Sequence, residues 1–165
     1  MLKILIGILT ILVTLLLFIV FFILKQIRHL YDLHFSSGGL QLPVEINQLH
    51  LTTTSYLPTE GPYVLLFGNA FCATCQQLLQ RIEKKRQDLR VPLIVLFDNK
   101  EEQIQNYVKQ NRLSFTIHPL SDVDREAYQV NVHPFAYLIN NNTIIGKRAV
   151  RSVKQIIEMC EKIKL

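Results

Sequence analysis

Cysteine is scarce in this chain of 165 residues, which contains three: Cys72, Cys75 and Cys160. A framework of several disulfides is therefore excluded, because such scaffolds need a larger, paired set. The sequence also lacks a second cysteine or histidine pair to complement Cys72 and Cys75, and a structural zinc ion needs four such ligands. The role of the two closely spaced cysteines must be inferred from their surroundings.

Long runs of one charge are also missing, although the formal net charge is +5. The most basic stretch, residues 83–90, interleaves acidic residues and contains no aromatic side chain. Proteins that bind single-stranded nucleic acid combine a positive groove with aromatic residues on which bases stack. We therefore expect no nucleic-acid partner and interpret this stretch as a solvated helix end.

A long uncharged run is present at the N-terminus, where residues 4–24 read "ILIGILTILVTLLLFIVFFIL". A membrane-spanning helix needs about 20 such residues, so residues 1–24 are predicted to be a single transmembrane anchor. A cleaved signal peptide would have an apolar part of about 7 to 15 residues and a small-residue cleavage site. Neither feature fits, and we expect the anchor to be retained. Positive residues flank both ends, so charge gives no orientation.

The rest of the chain divides by composition. Residues 25–43 are predicted to be a juxtamembrane linker, because "FSSGGLQLP" at residues 35–43 is typical of a flexible joint. The folded domain is then expected to comprise residues 44–165.

Within this domain, apolar runs alternate with helical patterns. "YVLLF" at residues 63–67 and "VPLIVLFD" at 91–98 predict buried strands, each followed by an amphipathic helix. "FAYLI" and "TIIGKRAV" flank three asparagines and predict an antiparallel hairpin before a closing helix. The order βαβα then ββα predicts an α/β fold with a mixed central sheet. The residues predicted to lie in its core include Phe67, Phe97, Phe115, Phe135 and Cys160.

This order resembles the thioredoxin fold, with "LLFGNAFCATCQQLL" opening the βαβ half and "QVNVHPFAYLINNNTIIGKRAV" the ββα half. The chain looks most similar to the membrane-anchored, extracytoplasmic branch, which includes TlpA-like proteins and MauD-like methylamine utilisation proteins. "LKQIRHLYDLHF" is faintly similar to the segment after the MauD anchor, and "CATCQQLL" to its active-site helix. The resemblance covers residues 44–165 and implies a redox-active Cys-x-x-Cys centre.

The local chemistry supports the same role for the two cysteines. Cys72 is predicted at a helix N-terminus, where unpaired N–H groups and the helix dipole stabilise a thiolate. Cys75 lies almost one turn further on, where it can attack a mixed disulfide formed by Cys72. We predict Cys72 as the nucleophile and Cys75 as the resolving thiol.

Three other roles are possible for the two cysteines. A permanent structural disulfide is a poor explanation, since so short a loop constrains the unfolded chain little. Thiolates also select soft metals, so a copper carrier or chaperone using Cys72, Cys75 and one histidine is an alternative. The third is a non-catalytic binding module that retains the fold.

The resemblance also implies a proline beside the cysteines. Of the two His-Pro pairs, we choose His133–Pro134 over His118–Pro119, because it directly precedes the hairpin strand, and we expect a cis bond there. His133, Pro134 and Phe71 are predicted to contact the substrate, and a protonated His133 would favour the Cys72 thiolate.

Several positions depart from the thioredoxin pattern. Leu66 replaces the usual buried carboxylate, Phe71 replaces tryptophan, and Ala73–Thr74 lie between the cysteines. Proton transfer to Cys75 therefore lacks its familiar assistant.

Together these features predict a membrane-tethered thiol-disulfide oxidoreductase. Its expected partners are protein thiols and disulfides, the membrane, and an upstream redox protein; no cofactor or metal is expected. Structural disulfides persist in oxidising compartments, so the domain after the anchor is predicted to be extracytoplasmic.

Overall fold

The computed structural model describes residues 2–36, 38–52 and 55–161, except for the side chains of residues 2, 4, 5, 8, 10 and 27–36. The chain divides into two compact units, Met1–Ser37 and Gly38–Leu165. The predicted boundaries after residues 24 and 43 do not coincide with this division. The three-part division of the chain into anchor, linker and domain stays a prediction.

The first unit consists of helix α1 (Leu2–Ser36), which is 35 residues long. Its large apolar side chains, where described between Ile6 and Leu24, are exposed. Among the residues that the structure describes, no helix combines the length and the apolar character needed to cross a membrane. Because α1 continues to Ser36, the first part of the predicted linker has a helical backbone.

The second unit begins with the last residues of the predicted flexible joint, and two of these residues pack against the hairpin. Leu40 is buried, and its main-chain N–H donates a hydrogen bond of 2.8 Å to the Tyr137 hydroxyl. Gly39 has a φ of +78°, and a Cβ there would collide with the Tyr137 hydroxyl. The chain therefore uses a glycine conformation to pack closely against the hairpin.

The second unit contains strands and helices in the predicted order, with two further strands and one further helix. In chain order they are β1 (Val44–Glu45), β2 (Pro62–Gly68), α2 (Ala73–Lys84), β3 (Leu93–Phe97), α3 (Glu101–Asn111), β4 (Ile117–Pro119), α4 (Asp122–Tyr128), β5 (Phe135–Asn140), β6 (Thr143–Ala149) and α5 (Val153–Cys160). The described strands form one six-stranded sheet in the order β1-β6-β5-β2-β3-β4. Strands β2, β3 and β4 are parallel, whereas β5 runs antiparallel to β2 and β6. The predicted α/β fold with a mixed sheet is confirmed.

Strand β2 is apolar throughout because both faces of the sheet are covered. Val64 and Leu66 belong to the core on the face packed by α2, α3 and α5, while Leu65 and Phe67 belong to the core on the opposite face, which includes Tyr128 of α4. Alternate residues of a strand point to opposite faces, so burial on both sides needs an unbroken apolar run. The five predicted core residues are all buried: Phe67, Phe97, Phe115, Phe135 and Cys160.

Candidate thiol-disulfide active site

The two closely spaced cysteines lie where strand β2 gives way to helix α2. Cys72 is the residue that caps the helix N-terminus, with an extended backbone, and its sulfur accepts a hydrogen bond of 3.3 Å from the main-chain nitrogen of Cys75. Capping residues satisfy N–H groups that have no partner within the helix. Cys72 therefore occupies the predicted position at the helix N-terminus.

Burial distinguishes the two thiols. Cys72 is partly exposed, whereas Cys75 is 1% exposed. Burial strongly raises the pKa of the Cys75 thiol, and its hydrogen bond with the Cys72 side chain acts in the same direction, against a main-chain hydrogen bond from Asn69. Cys75 is therefore held as a neutral thiol behind Cys72, while Cys72 can meet a partner.

The loop before strand β5 completes the surroundings of the cysteines. The His133–Pro134 bond is cis, as predicted, and the Cys72 thiol is 3.8 Å from the main-chain oxygen of His133. Pro134 is buried and lines a small internal void together with Cys75. The structure thus brings both predicted residues to the cysteines. A second cis bond, Leu42–Pro43, was not predicted.

His133 approaches the Cys72 sulfur through its main-chain oxygen. Burial lowers the pKa of the imidazole, and Arg125 acts in the same direction; Asp98 and the Phe67 main chain oppose this. The imidazole Nδ1 is buried without a hydrogen-bond partner among the described residues. The net effect is a pKa of the imidazole below its ordinary value. Stabilisation of the Cys72 thiolate by a protonated His133 stays a prediction. Burial acts against it, because burial disfavours the protonated ring.

Asp98 and Arg125 form an ion pair near this histidine. The Arg125 guanidinium lies 2.9 Å from an Asp98 carboxylate oxygen and also contacts Asp122 on its own helix. These carboxylates raise the pKa of Arg125. The pair fastens α4 to the end of β3, beside the loop that carries His133.

Polar residues that the sequence analysis missed hold the turn before Cys72. Asn69 donates to the main-chain oxygen of Asp98 at 3.1 Å and accepts from the Phe71 nitrogen at 2.8 Å. Asn99 accepts from the Ala70 nitrogen at 2.7 Å. Both asparagines closely follow the carboxyl ends of parallel strands, which meet at one sheet edge. Their position after these strands could have identified them from the sequence as residues near Cys72.

The packing of the Phe97 ring at this edge depends on Gly68. A Cβ there would lie 2.7 Å from the Phe97 ring and 3.6 Å from the Cys75 sulfur. Gly68 therefore lets the Phe97 ring pack beside the buried thiol. Phe71, predicted to contact the substrate, projects into solvent with 74% of its surface exposed.

The part of the chain that the structure describes contains no cluster of metal ligands. Across residues 2–36, 38–52 and 55–161, no group of three or more histidine, cysteine, aspartate or glutamate residues is placed to hold an ion. These described residues therefore do not form the copper site of the alternative prediction, which would need Cys72, Cys75 and one histidine.

Comparison with solved structures identifies the fold. StoA from Bacillus subtilis superposes with a TM-score of 0.56 at 17% identity, over 73% of this chain and 98% of that one. A thioredoxin-like protein from Parabacteroides distasonis gives a TM-score of 0.54 at 16% identity, over 68% and 92% of the two chains. A secreted Mycobacterium tuberculosis disulfide oxidoreductase homologous to E. coli DsbE gives 0.51 at 17% identity, over 64% and 84%.

These likenesses show that the second unit has a thioredoxin-like fold. No family model matches the chain, and no curated protein matches it either. The finer resemblance to TlpA-like and MauD-like proteins therefore stays a prediction.

Proposed function

We propose that this protein is a thiol-disulfide oxidoreductase that exchanges disulfides with other proteins through Cys72 and Cys75. The observation that supports this most directly is the pairing of a partly exposed thiol at a helix N-terminus with a buried thiol one turn further on. The main-chain oxygen of His133 lies beside the outer thiol. This oxygen and its neighbouring main chain can pair with an extended substrate segment. The fold neighbours named as disulfide oxidoreductases support the same activity.

The proposed exchange proceeds in two steps. The Cys72 thiolate attacks one sulfur of a substrate disulfide; a new disulfide joins Cys72 to the substrate, and the other substrate sulfur leaves as a thiolate that takes up a proton. Cys75 then loses its proton and attacks the Cys72 sulfur. A Cys72–Cys75 disulfide forms, and the second substrate thiol departs with a proton. The substrate gains two electrons, and the reverse steps oxidise a dithiol substrate.

An insulin-reduction assay with dithiothreitol tests this proposal. The wild-type protein should accelerate insulin precipitation, and Cys72→Ser should reduce the rate to the uncatalysed level. A wild-type rate equal to that of Cys72→Ser would instead indicate a non-catalytic binding module. Glutathione titration of the Cys72–Cys75 pair then measures its reduction potential, which sets the direction of exchange.

We further propose that helix α1 tethers the protein to a membrane and that the thioredoxin-like unit faces an oxidising compartment. The proposal rests on the complete uncharged run at residues 4–24, part of which lies outside the described side chains. The described apolar side chains of this run are exposed, including Phe18 and Phe21, and such a surface is stable in lipid. An upstream redox protein would restore the cysteine pair after each exchange.

A further inference from the structure

A cleft of about 470 Å³ lies beside the turn that carries Phe71, between that turn and helix α3. Aromatic Phe71 and Tyr107 contribute to its wall together with Ala70. All the remaining lining side chains are carboxamides, namely Gln76, Gln103, Asn106, Gln110 and Asn111. The lining therefore carries no formal charge.

The composition of this wall follows from the spacing of residues in α3. Gln103, Tyr107 and Gln110 recur at intervals of three and four, which places them along one side of the helix. The charged residues of α3, Glu101, Glu102 and Lys109, do not line the cleft. A protein whose formal charge is +5 thus presents a neutral, amide-rich surface next to its reactive cysteine.

Some of these carboxamides already have partners, and others are available. Gln76 donates to the Ala70 main-chain oxygen at 2.7 Å, and Gln103 accepts from the Lys100 nitrogen at 3.2 Å. The exposed side chains of Asn106 and Gln110 make no hydrogen bond with the described residues.

Tyr107 adds a buried polar group at the same place. It is 5% exposed, and its hydroxyl has no hydrogen-bond partner in the described part of the chain. Buried polar groups normally have partners, and each exception calls for an explanation.

The chemistry of these groups matches an uncharged polypeptide segment. A carboxamide both donates and accepts, like the peptide group itself, and the exposed Phe71 ring offers an apolar platform next to Cys72. Phe71 directly precedes Cys72, so residues that flank the substrate cysteine in a mixed disulfide with Cys72 are within reach of this wall.

We propose that the cleft between Phe71 and α3 binds an extended, uncharged segment of the substrate protein next to the reacting cysteine. This inference rests on the proposed disulfide exchange and names the class of substrate that the site accepts. Asn106 and Gln110 bind the substrate main chain, and Phe71 contacts one apolar side chain. The cleft therefore selects neutral flanking sequence over acidic or basic sequence.

An experiment that introduces positive charge into the cleft of the full-length protein tests the proposal. Three peptides of equal length, each with one disulfide, carry uncharged, acidic or basic residues beside the reacting cysteine. The double variant Asn106→Lys/Gln110→Lys is compared with Gln105→Lys, which adds a lysine to an exposed position of α3 outside the cleft. Each kcat/KM is divided by the rate of the same protein with hydroxyethyl disulfide, which is too small to reach α3.

The wild type should prefer the uncharged peptide. The double variant should shift this preference toward the acidic peptide by about fivefold, the size of an exposed charge–charge contact, mainly through KM, and Gln105→Lys should leave the preference unchanged. Equal peptide preferences in all three proteins, with hydroxyethyl disulfide still reduced, would overturn the proposed substrate binding by the cleft and leave the proposed activity intact. A wild type that reduces neither the peptides nor hydroxyethyl disulfide would overturn the proposed function itself.

Discussion

The sulfur of Cys72 lies 3.3 Å from the main-chain nitrogen of Cys75 and 3.8 Å from the main-chain oxygen of His133. The Cys75 N–H donates a hydrogen bond to the sulfur, and the His133 carbonyl is placed to accept a hydrogen bond from the thiol. Because Cys75 is almost fully buried behind this sulfur, a bulky substrate disulfide can reach one cysteine only. In the proposed exchange, Cys72 is therefore the attacking residue and Cys75 the resolving one.

This asymmetry predicts which variant traps substrates. Cys75→Ser should accumulate mixed disulfides with natural partners, because the first exchange proceeds and the resolving thiol is missing. Cys72→Ser should trap nothing, since the remaining thiol is buried. Non-reducing electrophoresis followed by mass spectrometry should identify Cys72 as the sulfur on the protein side, and equal trapping by both variants would contradict the assignment.

Cys160 serves as the control for this trapping experiment. It is buried in the core near the end of α5, and burial raises the pKa of its thiol. Cys160→Ala in the Cys75→Ser background should leave the yield of adducts unchanged. Loss of adducts from a folded protein would show that the third cysteine takes part in the chemistry.

The buried thiol also predicts how stability depends on pH. The pKa of Cys75 is raised in the folded state above its ordinary value, so the folded protein holds this proton more tightly than the unfolded chain. The resulting stabilisation is complete below the unfolded pKa, about 8.5, and is lost as pH rises from there. Denaturant unfolding under reducing conditions should show a free energy of unfolding that falls between about pH 8.5 and 10.

A matched variant isolates the contribution of Cys75. In Cys75→Ala, the decline between about pH 8.5 and 10 should be smaller, with the remainder coming from Cys160, because the buried tyrosines titrate only above about pH 10 even when unfolded. Burial raises the pKa of Tyr63 to about 12. An identical pH slope in the two reduced proteins would refute the linkage.

Tyr137 fixes the segment before β1 to the hairpin. Its hydroxyl donates to the Tyr128 main-chain oxygen at 2.7 Å and accepts from the Leu40 nitrogen at 2.8 Å. Tyr137→Phe should lower the free energy of unfolding by about 1 to 3 kcal/mol, because a buried N–H loses its partner. Tyr63→Phe is the matched control, since the buried Tyr63 hydroxyl has no partner among the described residues. Guanidinium unfolding should show a loss in the first variant and none in the second.

The sheet and the cysteine pair could be predicted because their signals are local. The apolar run in β2 followed by a cysteine at a helix start specifies a buried strand, a turn and an N-terminal cap. The antiparallel hairpin was equally readable from its asparagine turn, where Asn141 and Asn142 adopt positive φ. Such patterns depend on neighbouring residues alone.

The contacts that were missed join residues distant in sequence. Leu40 bonds to Tyr137, and Asn99 bonds to Ala70, so neither partner identifies the other within a sequence window. "SSGG" is typical of a flexible joint, but Gly39 uses its conformational freedom to dock. The lowered pKa of His133 likewise follows from partial burial by residues distant in sequence, which the pair His-Pro does not reveal.

The proposed tether predicts the side of the membrane on which the domain lies. Alkaline phosphatase fused to the C-terminus should be active, because it requires an oxidising compartment to form its disulfides, and a reporter active only in the cytoplasm should be inactive at the same position. Activity of the cytoplasmic reporter alone would reverse the orientation. Recovery of the protein in a salt-washed soluble fraction would contradict the tether.

Tyr107 connects stability with substrate binding. Its hydroxyl is buried without a partner in the described chain, and burial raises its pKa to about 12, with further contributions from Cys75 and Cys72. Its ring packs against Phe97 at a centroid distance of 5.3 Å. Tyr107→Phe keeps this packing and removes an unsatisfied polar group, so the free energy of unfolding should stay equal or rise by about 1 kcal/mol.

If the hydroxyl of Tyr107 instead binds the substrate segment, the same variant should raise KM for the uncharged disulfide peptide several-fold while its rate with hydroxyethyl disulfide changes less. Unfolding and kinetics measured on one preparation separate these effects: a clear loss of stability would mean that the hydroxyl has a structural partner, and an unchanged KM would remove Tyr107 from the cleft.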